Sequence, residues 1–282
     1  MKILVTGSSG FIGSNIIKKL QKKKGLDLIL TTRSLEKVSE KFMLFDFKYL
    51  DFESNLYDYY GNPDIVLHCA WENVRHVNDK KHMDSQVFYH TKFIENLVKN
   101  GAKKIVILGS CFEYGKQYGE VMETEPSCPN TFYALAKDYL RKYVELLQFE
   151  YTFDFQWLRI FYVYDASGKT GNNIISSLKK ATSEGKSAFD MSKGDQELDY
   201  MEIRDLSNLV VKVILQNKTN GIINCCSGFS TKVLDLVKSC LLSWGASIEL
   251  NLGKFPYRDF ESTKIIGSVF KKDKIINDNH EE

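Results

Sequence analysis

A glycine loop near the amino terminus constrains the fold of this chain more than any other feature. An apolar run at residues 3–5 leads into Gly7, Gly10 and Gly13, and an amphipathic pattern follows over residues 11–23. Glycines let phosphate oxygens approach the backbone, and the start of the next helix offers free N–H groups and partial positive charge. The spacing GxxGxxG departs from the usual GxGxxG, so a turn that only packs a helix on a strand is the alternative. The order of strand, loop and helix favours a dinucleotide-binding lobe.

Apolar runs and helical patterns alternate after this loop. Strands are predicted at residues 26–32, 43–45, 64–69, 105–108 and 155–161, with helices at 83–100 and 133–149. This alternation predicts an α/β protein with a doubly wound parallel sheet of the Rossmann type. The pattern then loosens into a smaller C-terminal α/β lobe, with helices expected at 172–184, 205–216 and 231–243 and strands at 188–191, 199–201, 222–225 and 247–250.

Two domains are expected, a dinucleotide-binding domain at residues 1–162 and a substrate lobe at residues 163–282, interleaved at the cleft between them. The segment 116–131, which contains proline, serine and glycine, is predicted to be a surface loop. The charged tail that begins at Lys271 is predicted to fray.

Composition excludes several classes of function. A net charge of only +2 over 282 residues gives no broad basic field, so no nucleic acid partner is expected. The six cysteines lack metal-ligand spacing, so we expect neither a metal site nor a disulfide framework, and Cys225 and Cys226 are predicted to be buried thiols. No apolar run is long enough to cross a bilayer, and Met1 leads straight into the first strand. A cytoplasmic protein without a membrane partner is therefore expected.

The residues after the second and third strands bear on the choice of cofactor. Proteins that prefer NAD usually have an acid after the second strand, whereas this chain has Arg33 and Ser34. Because arginine binds phosphate through a planar fork, we favour NADP(H) over NAD(H), with a solvated loop arginine as the alternative. Asp46 could accept a hydrogen bond from the adenine amino group or could cap a turn.

The fourth strand leads into Ala70 and Trp71, which are expected to lie under the dinucleotide at the carboxyl end of the sheet. His68 lies inside the apolar run of this strand, and we interpret it as a core histidine whose hydrogen bonds are satisfied.

Three residues could carry acid–base chemistry. Ser110 follows the fifth strand, and Tyr133 and Lys137 lie one turn apart on the same face of the next predicted helix. A nearby ammonium stabilises a phenolate, so Lys137 is expected to lower the pKa of Tyr133 from about 10. Tyr133 would then exchange a proton with a substrate that Ser110 orients. An ordinary surface Tyr–Lys pair is the alternative.

These features resemble the extended short-chain dehydrogenase/reductase family, in its nucleotide-sugar branch. The resemblance covers nearly the whole chain and is strongest through Arg159; it rests on the glycine loop, Asp46, DIVLHCA at 64–70, Ser110, the Tyr133–Lys137 pair and INCCSG at 223–228. It implies a Rossmann lobe, a C-terminal lobe for a nucleotide sugar, and a homodimer formed through the helices at 83–100 and 133–149.

The resemblance also implies contacts for the cofactor and the substrate. Cofactor contacts are expected from Gly7, Ser9, Gly10, Phe11, Ile12, Gly13, Arg33, Ser34, Asp46, Phe47, Cys69, Ala70, Trp71, Tyr133, Lys137 and Phe161. Substrate contacts are expected from Cys111, Phe112, Tyr162, Asn173 and Arg258, although Arg258 could equally be a surface arginine.

Differences between this chain and the family reduce the number of reactions that are expected. Its 4,6-dehydratases have an Asp–Glu pair where this chain has Cys111 and Phe112, and its GDP-fucose synthases have cysteine at the position of Phe112. Both reactions are therefore disfavoured. NADPH-dependent reduction of the C4 ketone of a nucleotide-linked 4-keto-6-deoxyhexose is the first hypothesis, with dTDP-4-keto-6-deoxyglucose and the product dTDP-fucose as the expected pair. The alternatives are an NDP-sugar 4-epimerase with tightly bound NAD and a non-catalytic NADP-binding sensor.

Overall fold

A computed structural model of the chain describes residues 1–39 and 42–277. The strands in chain order are β1 Lys2–Thr6, β2 Asp27–Thr32, β3 Phe42–Leu44, β4 Ile65–His68, β5 Lys104–Ser110, β6 Tyr118–Val121, β7 Asp154–Ile160, β8 Tyr162–Tyr164, β9 Ala188–Asp190, β10 Glu197–Glu202, β11 Gly221–Cys225, β12 Ser230–Lys232, β13 Glu249–Asn251 and β14 Lys264–Gly267. The α-helices are α1 Phe11–Leu20, α2 Leu56–Tyr59, α3 Val87–Lys99, α4 Phe132–Leu147, α5 Ile174–Ser183, α6 Ile203–Leu215, α7 Val233–Ser243 and α8 Phe270–Asn277.

Seven strands form one parallel sheet in the order β3-β2-β1-β4-β5-β7-β11. The chain winds outward from β1 on one side and from β4 on the other, so the direction of winding reverses between these two strands. In such sheets ligands bind at the carboxyl ends of the strands beside this reversal. The predicted fold class, a doubly wound Rossmann sheet, is confirmed.

Apolar residues on both faces of the sheet explain why helices cover it on two sides. Ile3 and Val5 of β1 pack in the same cluster as α1, α6 and α8, whereas Leu4 packs with α3 and α4 on the opposite face. Successive residues of a strand point to opposite faces, and strands buried on both faces read as continuous apolar runs. The short runs of the sequence were therefore sufficient to locate these strands.

The second lobe contains a smaller sheet in the order β12-β10-β14-β6, with β8 paired to β10, and the separate pair β9 and β13. Its core contains Leu198, Val233, Leu236, Val237 and Ile265. The prediction of a plain surface loop at 116–131 is wrong in part, because β6 lies in that segment and pairs with β14. The prediction of a frayed tail from Lys271 is wrong through residue 277, because α8 packs on α6 and buries Ile275; residues 278–282 lie outside the described part.

Two further features affect the sheet and the helices beside it. β11 completes the main sheet although β9 and β10 of the second lobe precede it in sequence, so the division at residue 162 stays a prediction. A π-helical turn, His82–Gln86, leads into α3, where the sequence predicted a regular helix. Of the helices in the described residues, none combines the length and the apolar character needed to cross a bilayer.

Candidate active site

The glycine loop is shaped by contacts that exclude side chains. Gly7 has φ +68°, and a Cβ on it would lie 2.7 Å from the backbone nitrogen of Ala70. A Cβ on Gly13 would lie 2.3 Å from the carbonyl oxygen of Gly7. Gly10 is the N-cap of α1, and among the described residues no side chain caps this helix and no acid lies in its first turn. The free N–H groups of α1 therefore point at the end of β1, which suits an anionic phosphate group.

The neighbouring loop residues differ in exposure. Ser9 is exposed with Gly10, while Phe11 and Ile12 are half-buried against the core. The ring of Phe11 lies against Gly171 of the second lobe, about 3.2 Å from where a Cβ of that glycine would be. The start of α1 is thus the place where the second lobe approaches the glycine loop.

Arg33 is not a free cation in the structure. Its guanidinium forms an ion pair with Glu72, in the loop after β4, and both side chains are more than half exposed. The backbone N–H of Ser34 donates to Oγ1 of Thr32 at 3.1 Å. Arg33 is therefore already paired, whereas the expected contact with the 2′-phosphate of NADP(H) needs its guanidinium to be available.

The residues after β3 are ordered by local contacts. Oδ1 of Asp46 accepts a hydrogen bond from the backbone N–H of Lys48 at 3.0 Å, which is the turn-capping arrangement that the sequence left open as an alternative. The ring of Phe47 stacks on Tyr89, with centroids 5.2 Å apart, and meets His90 edge-on.

Ser110, Tyr133 and Lys137 come together at the carboxyl end of β5. Ser110 is the last residue of that strand, and its side chain interacts with that of Tyr133 in the first turn of α4. Lys137 lies one turn further along α4 and is 3% exposed, with Nζ donating to the carbonyl oxygen of Leu108 at 2.8 Å. The three side chains that the sequence singled out therefore form one cluster, beside the reversal point of the sheet.

The pKa of Tyr133 differs from the expectation. Burial raises the pKa of Tyr133 above its ordinary value, the charge of Glu113 raises it further, and the hydrogen bond from Ser110 lowers it only in part. Burial also lowers the pKa of Lys137 to about 7. The expectation of an acidified phenol is therefore wrong for this arrangement, since desolvation of the phenolate outweighs the stabilising interactions.

An aromatic stack lies beside Lys137. Nζ of Lys137 is 3.9 Å from the centre of the Trp71 ring, which also stacks in parallel on His90, with centroids 4.3 Å apart, and meets Tyr133 edge-on at 6.2 Å. The indole N–H donates to Nδ1 of His82 at 3.1 Å. A cation over an aromatic face is stabilised by the ring quadrupole. Sequence reasoning missed His82 and His90, because they reach the site only through the packing of the π-helical turn and α3.

The prediction that His68 is a satisfied core histidine is confirmed. Its Nδ1 is 2.8 Å from Oγ1 of Thr6, and its Nε2 is 2.8 Å from Nδ1 of His90. Burial lowers the pKa of His68 to about 3, so the ring is neutral at pH 7.

The next residues, Cys69 and Ala70, are half-buried, and Ala70 lies against Gly7. Cys225 and Cys226 are fully buried thiols, as predicted.

A buried carboxylate below Ser110 was also missed. Glu113 is 0% exposed and accepts hydrogen bonds from the backbone N–H of Ser110 at 2.7 Å, from Trp157 and from Nε of Arg159 at 2.9 Å. Its side-chain partners, Trp157 and Arg159, lie on β7, more than forty positions further along the chain. The only signal in the sequence was an acid within a glycine-bounded turn, which by itself indicates no partner.

The residues predicted to contact the substrate are only partly brought together. Phe112 lies 5.9 Å from Tyr162 and 5.8 Å from Phe260, measured between ring centroids. Arg258 pairs with Glu261 at 3.4 Å, and its charge acts on Tyr162. We call the cluster of Phe112, Tyr162 and Phe260 the aromatic wall. Phe260 was not predicted, because its loop is far from Phe112 in sequence.

Three predicted contact residues are placed differently. Cys111 and Phe161 lie in the hydrophobic core of the second lobe, 4% and 3% exposed, so neither side chain is open to a ligand. Asn173 is the N-cap of α5: its Oδ1 accepts from two backbone N–H groups and its Nδ2 donates to Val163. Its hydrogen-bonding capacity is therefore used locally.

The strand order and the glycine loop at the reversal of the sheet define a Rossmann-type α/β protein. Residues 3–226 match the NAD dependent epimerase/dehydratase family, and the chain belongs to that family.

Two curated proteins and one solved structure illustrate what the chain is similar to. It is 27% identical over 273 residues to the dTDP-6-deoxy-L-talose 4-dehydrogenase (NAD(+)) of Aggregatibacter actinomycetemcomitans, covering 95% of this chain and 100% of that protein. It is 29% identical over 252 residues to a putative UDP-glucose 4-epimerase of Methanocaldococcus jannaschii, covering 83% and 79% respectively. The structure of MoeE5 in complex with UDP-glucose and NAD matches with a TM-score of 0.82 at 22% identity, over 98% of this chain and 92% of that one.

Proposed function

We propose that this protein is a nicotinamide-dependent oxidoreductase that reduces the C4 ketone of a nucleotide-linked 4-keto-6-deoxyhexose. The observation that carries the proposal is that the hydroxyl side chains of Ser110 and Tyr133 interact, with Lys137 one turn away, at the end of the sheet that also carries the glycine loop. Hydroxyl donors that converge on one point can bind a carbonyl oxygen and supply its proton.

The residues around the glycine loop suit a dinucleotide. Gly7 and Gly13 exclude side chains from the end of β1, and the uncapped start of α1 offers N–H groups to a pyrophosphate. Lys137 would hold the nicotinamide ribose, and Ala70 and Trp71 would lie beneath the dinucleotide. When bound, this group supplies the hydride that reduces the ketone.

Each protein residue has a separate task in the proposed reaction. Ser110 donates a hydrogen bond to the ketone oxygen and orients it. Tyr133 gives its proton to that oxygen as C4 receives a hydride, so that C4–H and O–H bonds form and the ketone becomes an alcohol. The raised pKa of Tyr133 keeps the phenol protonated and ready to donate. The ammonium form of Lys137 would stabilise the phenolate until a proton returns to it from solvent.

The substrate class is supported by similarity over the full chain. The talose dehydrogenase relative, aligned over 95% of this chain, is named for a reaction at C4 of a dTDP-linked 6-deoxy sugar. We propose dTDP-4-keto-6-deoxyglucose as substrate and dTDP-fucose as product. The aromatic wall would contact the sugar nucleotide, with Arg258 near its diphosphate.

A 4-epimerase with tightly bound NAD is the second candidate function. The specific support is the 29% identity to a putative UDP-glucose 4-epimerase. An epimerase needs the same Ser, Tyr and Lys, since it oxidises and then reduces C4 without net change in the cofactor. The two functions differ in whether free NAD(P)H is consumed in proportion to product.

The test is a panel assay on purified protein. The proposal expects absorbance of NADH or NADPH to fall only when a dTDP-, GDP- or CDP-linked 4-keto-6-deoxyhexose is added, with one alcohol formed per cofactor oxidised. Interconversion of sugars without net oxidation, by protein that retains NAD through purification, would establish the epimerase instead. Binding of a dinucleotide without any turnover would support a non-catalytic sensor.

We also propose a homodimer formed through α3 and α4. Leu135, Tyr139 and Leu146 lie on one stripe of α4 and are 42%, 48% and 61% exposed, and Phe88 of α3 is 55% exposed. Exposed apolar side chains on two adjacent helices favour association with another apolar surface. A second copy of this chain, related by a two-fold axis, would present the same surface in return.

A further inference from the structure

Two oppositely charged side chains meet across the glycine loop. Arg33 directly follows β2, Glu72 lies shortly after β4, and their side chains form an ion pair. β1 lies between these two strands in the sheet. The ion pair therefore spans the carboxyl end of β1, where the glycine loop begins.

The backbone that carries Glu72 is anchored on both sides. Its N–H donates to Oε1 of Gln86 at 3.0 Å, and Gln86 is buried in the π-helical turn. The preceding residue, Trp71, is held by its parallel stack on His90. The carboxylate itself is 54% exposed and open to a ligand. Glu72 is thus a negative charge in a built position at the edge of the dinucleotide crevice.

We infer that Glu72 selects NAD(H) over NADP(H) in this protein, an assignment that rests on the nicotinamide dinucleotide site of the proposed function. In this fold the adenosine ribose lies near the end of β2, where an acid favours NAD and an arginine accommodates the 2′-phosphate of NADP. Here the arginine at that position is already paired, so its charge is neutralised by Glu72. The discriminating acid is supplied by the loop after β4 instead of the end of β2.

The charges decide the direction of the preference. A 2′-phosphate carries about −1.5 to −2 at pH 7 and would approach a fixed carboxylate of the same sign. It could bind Arg33 only by displacing Glu72, which would leave that carboxylate facing the phosphate. The ribose 2′-hydroxyl of NAD is neutral and can donate a hydrogen bond to a carboxylate. Like-charge juxtaposition of this kind suppresses binding of the wrong partner.

The test measures dissociation constants of NAD⁺ and NADP⁺ for the purified full chain, without any sugar. The wild type is expected to bind NAD⁺ more tightly. Glu72→Gln frees Arg33 to bind a phosphate through its planar fork, so the affinity for NADP⁺ is expected to rise about tenfold, while that for NAD⁺ changes less than about threefold. Adding Arg33→Gln to Glu72→Gln is expected to abolish the gain.

A matched control removes a carboxylate from another surface ion pair. Glu184→Gln breaks the contacts with Lys186 and Lys180, 3.2 and 3.8 Å away at the end of α5, and is expected to leave the ratio of the two affinities unchanged. A wild-type preference for NADP⁺, or an unchanged ratio in Glu72→Gln, would overturn the inference. Failure to bind either dinucleotide would overturn both this inference and the proposed function. If the affinities for NAD⁺ and NADP⁺ change as expected but no sugar is turned over, the proposed function fails and the inference about Glu72 stands.

Discussion

Glu113 and Arg159 form an ion pair that is sealed from solvent directly below Ser110. Oε2 of Glu113 lies 2.9 Å from Nε of Arg159, and the two side chains are 0% and 1% exposed. Oε1 of the same carboxylate accepts the backbone N–H of Ser110 at 2.7 Å. The pair therefore ties the end of β5, which carries one hydroxyl of the candidate site, to the neighbouring strand β7.

Glu113→Gln is expected to lower the free energy of unfolding by about 3 kcal/mol, because it leaves the Arg159 charge buried without its counter-ion. Urea denaturation would measure the change. The double substitution Glu113→Gln with Arg159→Met is expected to recover part of this loss, since it removes both charges and keeps an acceptor for Ser110 and Trp157. Glu184→Gln, which breaks only the exposed contacts with Lys180 and Lys186, should cost less than about 1 kcal/mol. A loss below about 1 kcal/mol for Glu113→Gln would contradict the structural role of the pair.

Tyr133→Phe is expected to reduce turnover by at least about 10²-fold and to leave dinucleotide affinity nearly unchanged, because it removes only the proton donor. Sugar-dependent oxidation of NADH or NADPH measures the first quantity, and an equilibrium titration measures the second. Tyr57→Phe is the matched control, since Tyr57 packs against Gly101 near the amino end of β5, away from the site. Normal turnover by the Tyr133→Phe protein would show that Tyr133 is not the proton donor.

Lys137→Met is expected to change the dependence of stability on pH. Burial lowers the folded-state pKa of Lys137 from 10.5 to about 7, so between these values the unfolded chain binds a proton that the folded protein does not. Wild-type stability therefore gains a contribution as pH rises through this window, and below it the folded state carries the full cost of a buried ammonium.

The variant lacks this cost. We subtract the free energy of unfolding of the wild type from that of Lys137→Met at each pH. This difference is expected to be larger at about pH 6 than at about pH 9.5, by on the order of 2 kcal/mol. Lys104, whose pKa is lowered to about 8 by burial and which Lys137 does not influence, is common to both proteins and cancels in the difference. Chemical denaturation at the two pH values measures it, and a pH-independent difference would show that Lys137 titrates outside this window.

Gly13→Ala is expected to weaken dinucleotide binding by about tenfold or more and to destabilise the fold by about 1–3 kcal/mol. Its Cβ would lie 2.3 Å from the carbonyl oxygen of Gly7 and would push α1 away from the loop. Gly10→Ala is the comparison for stability, since its Cβ would be 3.2 Å from the same oxygen. Thermal denaturation should rank Gly13→Ala as the less stable variant, and the opposite ranking would contradict the close packing described here.

Leu146→Asp is expected to shift the protein from dimer to monomer, because it places a charge in the proposed contact of α3 and α4. Sedimentation velocity over a range of concentrations measures the change. Leu242→Asp is the control, since Leu242 is 84% exposed on α7 of the second lobe. A wild-type monomer, or equal dissociation by both substitutions, would refute the proposed interface.

Sequence patterns located the main sheet because its strands are apolar on both faces and depend little on context. The glycine loop and the spacing of Tyr133 and Lys137 are equally local, and the structure brings Ser110 to them as expected. Contacts between distant segments were not predictable in this way. β6 was missed because its partner β14 lies far along the chain, and the pairing of Arg33 with Glu72 depends on which strands are neighbours in the sheet. The direction of the Tyr133 pKa shift depends on burial, which spacing alone does not give.

The position of β11 bears on how the chain acquires its structure during synthesis. The edge of β7 that pairs with β11 stays open until residues 221–225 have left the ribosome, after β6, β8 and β10 of the smaller sheet have been made. An open strand edge recruits other chains, so a nascent or truncated product ending near residue 162 is a candidate for aggregation. The two lobes therefore mature together, and neither is expected to survive as an isolated fragment.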